Sequence, residues 1–538
     1  MKNKYQILFE KLKEKGINMM FTVSNDLILD FAITAETNGI ELIGGFNEEN
    51  LPSIAGAYAK YGNKVSVIAI TEGFGINKMI NSIVASRVKY DPILFLVINK
   101  TKQDLIDKTK SNKRAYELML ESYDIEIIEM KDIKKTSSIT NILERIEYDK
   151  ELKCITFTKE DLLEQFNDKG EPADNSLSLL KKENSQKDQN MIKKLEKILE
   201  SKKKVALLIG NQINRTKNGT QITTFCRNWN INYMTLPSSK SKVDEKNENY
   251  LGTFYGDFTP SNIIKKIDIT EYIIWAGVED YYYDKGPING NDTIWQSKKI
   301  LKIGTDDIEN IGYKNSNISD NNKTENIQSI NISKNLCERS EDSIIYEKDL
   351  LQALPIILEK QKDKNKAIIS DVGITCLCSL EIKLEQDDIY LGNHASSSMG
   401  LSLASAIGIA FALPEYNIWV IVGDGSLIMS LDDISFISKY ALNIKILLLD
   451  NKAYLTENIR AKHSINETPK INWELTASGL GLTNYKQIQF VDQLKKHLNN
   501  EAKRKKPSFT HLVLGKTNLP KNVQNYFLNK YMDTLWSK

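Results

Sequence analysis

The strongest constraint on the fold is the stretch IWVIVGDGSLIMSLDDISFISKYALNIKILLLDN, residues 418–451. Two continuous apolar runs, residues 418–423 and 443–451, enclose residues 431–442, whose apolar positions have helical spacing. Such runs are typical of parallel strands buried on both faces. A strand–helix–strand crossover brings the carboxyl ends of its two strands to one edge of the sheet. The stretch therefore predicts an α/β fold with a parallel sheet.

Polar residues follow both predicted strands at that edge. Asp424 lies in a Gly-Asp-Gly-Ser sequence after the first strand, and Asn451 ends the second. Ligands of open parallel sheets bind outside the carboxyl ends of the strands, and a carboxylate with a carboxamide suits Mg²⁺ that also binds phosphate oxygens. The backbone N–H groups of Gly425 and Ser426 would face the same phosphate. The alternative is that Gly-Asp-Gly forms only a turn.

The rest of the chain predicts two more units of the same kind. Its 538 residues are long enough for about three domains. Five further apolar runs predict strands, at residues 64–71, 92–99, 203–210, 271–277 and 298–304. Polar passages at residues 163–190 and 310–335 interrupt these patterns and predict linkers. We therefore predict domains at residues 1–165, 190–335 and 349–538.

Composition narrows the classes of partner. Hydrophobic residues make up 41% of the chain and charged residues 26%, and the net charge is +2. This balance provides no broad basic face for nucleic acid or a membrane surface, so small molecules or protein chains are the expected partners. No apolar run approaches the roughly 20 residues of a membrane helix, and residues 1–16 have an amphipathic helical pattern. A cytoplasmic location is the expectation.

Cysteine chemistry is not expected to contribute to function. The chain has five cysteines: Cys154, Cys226, Cys337, Cys376 and Cys378. None forms a C-x-x-C pair, and no histidines lie at zinc-like spacing from them. Cys376 and Cys378 alternate along what we predict to be a strand or its end. All five are interpreted as structural residues.

The spacing from Gly-Asp-Gly to the later Asp-Asn resembles the signature of the thiamine diphosphate-dependent enzymes. The resemblance implies that Asp424, Asn451 and the backbone carbonyl of Ala453 bind Mg²⁺, which holds the diphosphate of the cofactor. Four further residues would line this part of the cofactor site: Gly423, Gly425, Ser426 and Thr456. The implied fold is α/β, with three doubly wound parallel-sheet domains that are pyrimidine-binding, central and diphosphate-binding.

A second motif supports the same resemblance. GGFNEENLPSIAGAYAK, residues 44–60, is similar to the site at which these enzymes hold a glutamate against the pyrimidine ring. This implies that Glu48 is the catalytic carboxylate that promotes the reactive tautomer of the cofactor. Glu49 is the competing choice, but the frame of Asn47 and Asn50 favours Glu48. The alternative is an ordinary solvated carboxylate near a helix.

Two more segments match cofactor contacts of the family. In YLGNHASSSMGLSLASAIGIAFALP, residues 390–414, Met399 matches the bulky apolar residue that props the cofactor into a V shape. The backbone of Ser397 matches the acceptor for the cofactor's amino group. Thr71 begins TEGFG, which stands where the family has Thr-x-Gly-x-Gly, and is a further expected cofactor contact. Taken alone, a methionine such as Met399 is more often a residue that fills the core.

Three segments resemble the pyruvate and indolepyruvate decarboxylase branch, which decarboxylates 2-oxo acids nonoxidatively to aldehydes. Residues 248–286 resemble its central domain, while NKAYLTE and FTVSNDLILD match two catalytic motifs. The last two place Glu457 and Asp26 on proton-shuttling carboxylates, a role typically worth 10²- to 10⁴-fold in rate. Mutual repulsion near an apolar cofactor is expected to raise the pKa of at least one of them.

The sequence departs from that branch at one point. The branch carries an adjacent pair of histidines in its N-terminal domain, but residues 100–117 contain none, and Asp107 and Lys108 stand at the pair. Two alternatives to decarboxylation therefore stay open, an acetolactate synthase-like carboligase and a non-catalytic homologue. Arg460 and His463 are candidates for contact with an acidic or otherwise polar substrate, or belong to a solvated basic face.

The resemblance also implies a subunit arrangement. Glu48 and the diphosphate site lie in different predicted domains, and in this family they meet across a subunit interface. A homodimer or homotetramer is therefore expected. The identity of the 2-oxo acid substrate is left open by the sequence.

Overall fold

The computed structural model describes most of the three predicted units. The described residues are 3–99, 114–165, 193–195, 197–201, 203–213, 219–278, 295, 297–304, 345, 354, 358, 365–385, 387–393, 396–515 and 519.

The first unit contains a six-stranded parallel sheet with the strand order β2-β1-β3-β4-β6-β5. Its strands are β1 Met19–Val23, β2 Glu41–Gly45, β3 Ser66–Thr71, β4 Ile93–Ile98, β5 Glu126–Glu129 and β6 Leu152–Phe157. The helices are α1 Lys4–Glu14, α2 Asp26–Thr37, α3 Leu51–Gly62, α4 Phe74–Lys78, α5 Ile80–Val88, α6 Ala115–Ser122, α7 Thr136–Asp149 and α8 Lys159–Leu163. Every residue of β4 is buried, as its continuous apolar sequence predicts.

The central unit contains a five-stranded parallel sheet with the order β11-β10-β7-β8-β9. Its strands are β7 Val205–Ile209, β8 Asn232–Thr235, β9 Tyr250–Thr253, β10 Tyr272–Ala276 and β11 Lys299–Ile303. The described helices are α9 Thr220–Asn228 and α10 Ser261–Asp268. At the carboxyl edge a Cβ on Gly210 would lie 2.4 Å from the Cα of Val278, so the loops after β7 and β10 pack directly against each other.

The last unit contains a six-stranded parallel sheet with the order β13-β12-β14-β15-β17-β16. Its strands are β12 Lys366–Ser370, β13 Ile389–Gly392, β14 Asn417–Gly423, β15 Ile444–Asp450, β16 Tyr485–Ile488 and β17 Ser508–Val513. The helices are α11 Ile374–Leu380, α12 Ser402–Ala412, α13 Asp424–Ile428, α14 Leu431–Lys439, α15 Leu455–Arg460, α16 Trp473–Gly479 and α17 Val491–Glu501. The predicted crossover of residues 418–451 is confirmed as β14, α13, α14 and β15.

The predicted fold class is confirmed, since all three sheets are parallel and lie in an α/β arrangement. The sheets occupy residues 19–157, 205–303 and 366–513. The exact domain boundaries stay a prediction. Within the described residues, no helix is long and apolar enough to cross a membrane.

The first and last units share one hydrophobic core through the helix pair α3 and α12. Both helices are rich in small residues, which allow their backbones to approach closely. A Cβ on Gly408 of α12 would lie only 2.1 Å from the carbonyl oxygen of Ile54 in α3. Glycine at this position therefore permits the crossing that joins the two units.

A buried ion pair joins the central unit to the last one. The Nζ atom of Lys240 lies 2.5 Å from Oε2 of Glu245 and donates to the carbonyl of Ile382 at 2.6 Å. Glu245 also accepts from the backbone N–H of Leu384 at 3.1 Å. Because the two side chains are almost fully buried, these hydrogen bonds offset the cost of removing both charges from water.

One secondary-structure prediction is wrong. Cys376 and Cys378 lie in the helix α11 and not in a strand. Both thiols are buried because the helix is covered on several sides, so its sequence lacks the one-sided apolar spacing that would have predicted a helix. Cys154 and Cys226 are likewise free and buried, and burial raises the pKa of both thiols. Cys337 lies outside the described residues.

Candidate active site

The candidate metal ligands lie at the carboxyl edge of the last sheet. Parallel pairing aligns Gly423 of β14 with Leu449 of β15, so Asp424 and Asp450 leave neighbouring strands at the same level and Asn451 follows. The crossover brings the two predicted ligands to one edge, as its connection requires. Asp424 is also the first residue of the short helix α13.

The Asp424 carboxylate is nearly fully buried, with 3% of its surface exposed. Its Oδ2 atom accepts a hydrogen bond of 2.5 Å from the hydroxyl of Thr468. Burial, followed by repulsion from Asp450, raises the pKa of Asp424 to about 6, although hydrogen bonds from Thr468 and nearby backbone amides oppose the change. A cation bound beside this buried carboxylate would stabilise its ionised form.

The loop after β15 has a strained and well-connected backbone. Lys452 has a φ angle of 60°, in the left-handed region. Asn451 Oδ1 accepts from the N–H of Ala453 at 3.1 Å, and Ala453 forms an antiparallel bridge with Glu467. Tyr454 donates its N–H to the carbonyl of Asn466 at 2.8 Å. The segment that carries Thr468 therefore packs along the candidate ligand loop.

Small residues allow that loop to approach the Gly-Asp-Gly sequence. A Cβ on Gly425 would lie 2.5 Å from the ring of Tyr454, whereas a Cβ on Gly423 would meet no atom within 4 Å. Ser426 is buried beside them. Gly425 is therefore packed against the Tyr454 ring, whereas the space beside Gly423 is open and has room for a phosphate group.

The turn that carries Met399 is fastened to this edge by a residue that sequence reasoning missed. The buried Asp371 carboxylate accepts N–H groups from Gly400 at 3.2 Å and Ser402 at 3.3 Å. The hydroxyl of Ser426 also bonds to it, and burial raises the pKa of Asp371. Asp371 thus connects the Met399 turn to the Gly-Asp-Gly-Ser sequence.

The Met399 turn carries two residues, Ser397 and Met399, whose cofactor contacts stay a prediction. Ser397 has a φ angle of 53° and donates its N–H to the carbonyl of Asn393 at 3.1 Å. Met399 is partly exposed, so it is not simple core filling. His394 lies outside the described residues.

Glu48 lies in the loop between β2 and α3, in the first unit. Its side chain is 19% exposed, and its Oε2 atom lies 3.1 Å from Nζ of Lys78. Asn47 orders the loop by accepting the N–H of Glu49 at 3.2 Å. The Ser82 hydroxyl also donates to the carbonyl of Glu49.

Asn50, the residue before α3, fastens the Glu48 loop to the last unit. Its Nδ2 atom donates to Oδ2 of Asp433 in α14 at 2.9 Å. Burial, with smaller contributions from Asp432 and Glu49, raises the pKa of Asp433 well above its ordinary value. Phe46 adds an edge contact with Phe436 of the same helix.

Asp26 and Thr71 lie near each other, at the ends of β1 and β3. Asn25 caps α2 by accepting the N–H of Ile28 at 3.0 Å, and its Nδ2 atom donates to Oγ1 of Thr71 at 3.3 Å. Asp26 is exposed at the first position of that helix. The strand order β2-β1-β3 therefore gathers Glu48, Asp26 and Thr71 at one sheet edge.

The remaining candidates lie after β15. Thr456 and Glu457 belong to the short helix α15, where Glu457 is exposed. His463 is also exposed, and its Nδ1 atom accepts the N–H of Ile465 at 3.2 Å. Nothing is described of the Arg460 side chain, and Asp107 and Lys108 lie outside the described residues.

The structure gathers the candidates into two half-sites. One contains Glu48, Asp26 and Thr71 in the first unit, and the other lies around Asp424 and Asn451 in the last. Between described residues, no hydrogen bond or ion pair joins Glu48 to Asp424 or to Asn451. The described residues also contain no cluster of three or more His, Cys, Asp or Glu side chains suited to a metal. Carboxylate, carboxamide and carbonyl oxygens nevertheless fit Mg²⁺ bound to a diphosphate.

Two protein-family models match the parts of the chain that contain these residues. Residues 2–115 match the N-terminal TPP binding domain of thiamine pyrophosphate enzymes, and residues 371–512 match their C-terminal TPP binding domain. A thiamine diphosphate-dependent 4-hydroxybenzoylformate decarboxylase from Rhodococcus jostii RHA1 superposes with a TM-score of 0.77 at 13% identity, covering 97% of this chain and 100% of that chain. A putative thiamin diphosphate-dependent enzyme from Mycobacterium smegmatis gives 0.74 at 13% identity, with coverage of 96% and 100%. These superpositions establish the shared fold.

Curated relatives are similar over shorter stretches. A probable pyruvate decarboxylase of Schizosaccharomyces pombe is 24% identical over 48% of this chain, and the match covers 47% of that protein. An alpha-keto-acid decarboxylase of Mycobacterium bovis is 26% identical over 29% of this chain and 28% of its own length. The chain thus spans about half the length, or less, of these relatives. It contains both the N-terminal and the C-terminal TPP-binding domain of thiamine pyrophosphate enzymes, and these two matches include Glu48 and Asp424 respectively.

Proposed function

We propose that this protein uses thiamine diphosphate and Mg²⁺ to decarboxylate a 2-oxo acid nonoxidatively to an aldehyde. The observation that carries the proposal is the pair of oxygen donors, Asp424 and Asn451, at one sheet edge within a matched TPP-binding domain. When bound, the cofactor supplies a carbon nucleophile and an electron sink for the carbon dioxide that leaves. Binding, orientation and proton transfer are left to side chains of the protein.

The diphosphate end would be held through Mg²⁺ by Asp424, Asn451 and the carbonyl of Ala453. Mg²⁺ prefers oxygen ligands and completes its octahedron with waters and phosphate oxygens. The hydrogen bond from Thr468 fixes one oxygen of the Asp424 carboxylate. Gly423, Gly425 and Ser426 provide the open backbone beside the phosphates, and Thr456 lies on the next helix.

Glu48 would bind the pyrimidine ring of the cofactor. Among the described residues it forms an ion pair with Lys78, whose side chain is largely exposed. Exposed ion pairs contribute about 0–1 kcal/mol, so breaking this one on binding costs little. Ser397 and Met399 would contact the same cofactor from the other half-site, with Thr71 beside Glu48.

Proton transfer would be carried by Asp26 and Glu457. Each is exposed in the single chain and lies after a strand that leads to the candidate site. Asp26 is held near Thr71 through Asn25, which places it at the same sheet edge as Glu48. Both carboxylates are free to approach a reacting group once the two half-sites meet.

A second copy of the chain would complete the site, giving a homodimer or a homotetramer. Large apolar side chains lie exposed on segments that carry candidate residues, and Phe46, Met429 and Ile465 are each more than half exposed. Phe46 neighbours Glu48 in sequence, while Met429 contacts the turn of Met399 through Gly400. Covering such residues favours association.

Carbon dioxide release from a panel of small aliphatic, aromatic and acidic 2-oxo acids tests the proposal. The cofactor and Mg²⁺ are added, and Glu48→Gln and Glu49→Gln are compared. We expect Glu48→Gln to lower the rate at least 10²-fold and Glu49→Gln to leave most of it, because only Glu48 is assigned to the pyrimidine ring. Equal loss in both variants would contradict the assignment of Glu48.

Carboligation is the second candidate function. None of the four histidines of the chain precedes residue 394, so the histidine pair of the decarboxylase branch has no counterpart. Slow protonation would leave time for a second carbonyl compound to react. Product analysis with and without an added aldehyde separates the two reactions. No carbon dioxide release with bound cofactor, and no ligated product, would indicate a non-catalytic homologue.

A further inference from the structure

A buried histidine lies behind the candidate metal edge. His511, on β17, is 7% exposed, and its Nε2 atom lies 2.8 Å from Oδ2 of Asp450, which is 6% exposed. On the other side of the ring, Nδ1 lies 2.8 Å from the hydroxyl of Tyr485. The three side chains form a continuous hydrogen-bonded row across β16, β17 and β15.

The direction of these hydrogen bonds follows from the groups involved. An ionised carboxylate only accepts, so Nε2 of His511 carries the proton that is donated to Asp450. Nδ1 then accepts from Tyr485, whose pKa burial raises to about 12, so that its hydroxyl keeps its proton at neutral pH. Both ring nitrogens are satisfied, and the carboxylate is held in one orientation.

The strand register gives this row a place in the site. His511 is paired with Leu448 across β15 and β17, and Asp450 lies two residues further on the same face. Asp450 directly precedes Asn451, and it leaves β15 level with Asp424. The Asp450 carboxylate therefore stands at the end of β15 beside both predicted metal ligands.

We propose that His511 is a positioning residue, which holds the Asp450 carboxylate beside Asp424 and Asn451 so that its charge strengthens binding of the divalent cation. The inference rests on the proposed function, because it concerns the cation that carries the diphosphate. Outer partners that orient ligands typically contribute 10- to 100-fold to metal affinity. A carboxylate that lost its histidine would be free to rotate away, and its attraction for the cation would weaken.

Mg²⁺ titration of the full-length protein at a fixed thiamine diphosphate concentration tests this, with intrinsic fluorescence as the readout and no substrate present. We expect His511→Phe and Asp450→Asn each to raise the half-saturating Mg²⁺ concentration about tenfold. His511→Gln, which keeps an N–H donor, should recover much of the affinity. Combining His511→Phe with Asp450→Asn should add little, because both changes remove the same charge effect.

His497→Phe is the matched control. His497 is a partly buried histidine bonded to Thr510, the strand neighbour of His511, at 2.9 Å, and it faces no candidate ligand. Its variant should bind Mg²⁺ as the wild type does. If His511→Phe and Asp450→Asn bound Mg²⁺ with unchanged affinity, the inference about His511 would be overturned, even if both variants were less stable to heat. The proposed function would not be affected by that result. A wild-type protein that binds no Mg²⁺ with thiamine diphosphate would overturn the proposed function and this inference together.

Discussion

Replacing Gly408 by alanine tests the packing that joins the two cofactor-binding units. The new Cβ would lie 2.1 Å from the carbonyl oxygen of Ile54 and 2.9 Å from the backbone nitrogen of Tyr58. The first distance is roughly 1.3 Å shorter than van der Waals contact allows. Because backbone atoms cannot rotate away, α3 and α12 must separate.

The expected magnitude follows from two opposing effects. Overpacking of a tight core costs about 1–3 kcal/mol, and a clash with backbone belongs at the upper end. Alanine regains about 0.5–1 kcal/mol through its higher helix propensity. The net loss should be about 2 kcal/mol, which lowers the thermal midpoint of the shared core by roughly 4–8 °C.

Differential scanning calorimetry of Gly408→Ala and Gly479→Ala measures this loss. A Cβ on Gly479, at the end of α16, would meet no atom within 4 Å, so its variant should be as stable as the wild type or slightly more stable. If both variants had the same midpoint, the close crossing of α3 and α12 would be refuted. Loss of cofactor affinity should accompany the lower midpoint of Gly408→Ala, since α3 carries the Glu48 loop.

Three further changes test the site itself. Asp371→Asn places an N–H₂ group against backbone N–H donors, and we expect cofactor affinity, measured by fluorescence titration, to fall about tenfold; unchanged affinity would contradict its role. Gly425→Ala should displace the Tyr454 ring and weaken Mg²⁺ binding in the same assay. If the variant bound Mg²⁺ as tightly as the wild type, the close packing of Gly425 against Tyr454 would be contradicted. Asp433→Asn keeps an acceptor for Asn50 and removes a carboxyl whose folded pKa is raised. Because a raised carboxyl pKa reduces stability as pH rises above the unfolded value near 4, the variant should gain stability over the wild type between pH 5 and pH 8 in calorimetry; equal pH dependence would refute this.

Local sequence patterns predicted the part of the fold that depends on local periodicity. The apolar run of β14, the helical spacing before β15 and the polar residues after each strand all appear where the sequence placed them. Parallel topology then brings Asp424 and Asn451 to one edge without further information. The same reasoning applied to KAIISD, where an apolar run ends at Asp371, would have found the carboxylate that fastens the Met399 turn.

Other parts of the site depend on partners that are distant in sequence. Thr468 bonds to Asp424 across 44 positions, and His511 bonds to Asp450 across 61. No local pattern marks either pair, because each arises from how loops and strands pack. The strand predicted at Cys376 failed for the opposite reason, since burial on several sides of a short helix removed the expected periodicity.

The contacts that fix the Glu48 loop hold it on the core that the first and last units share. Asn50 ties the loop to Asp433 of α14, and α3, which follows it, is locked against α12. The loop is therefore held on a shared core, while Asp424 lies among Thr468 and its own neighbours. In the proposed dimer, a cofactor that contacts Glu48 of one copy and the metal edge of the other would bridge the two chains. Association of two copies supplies such a bridge without rearranging either core, which is why oligomerisation and cofactor binding are expected to strengthen each other.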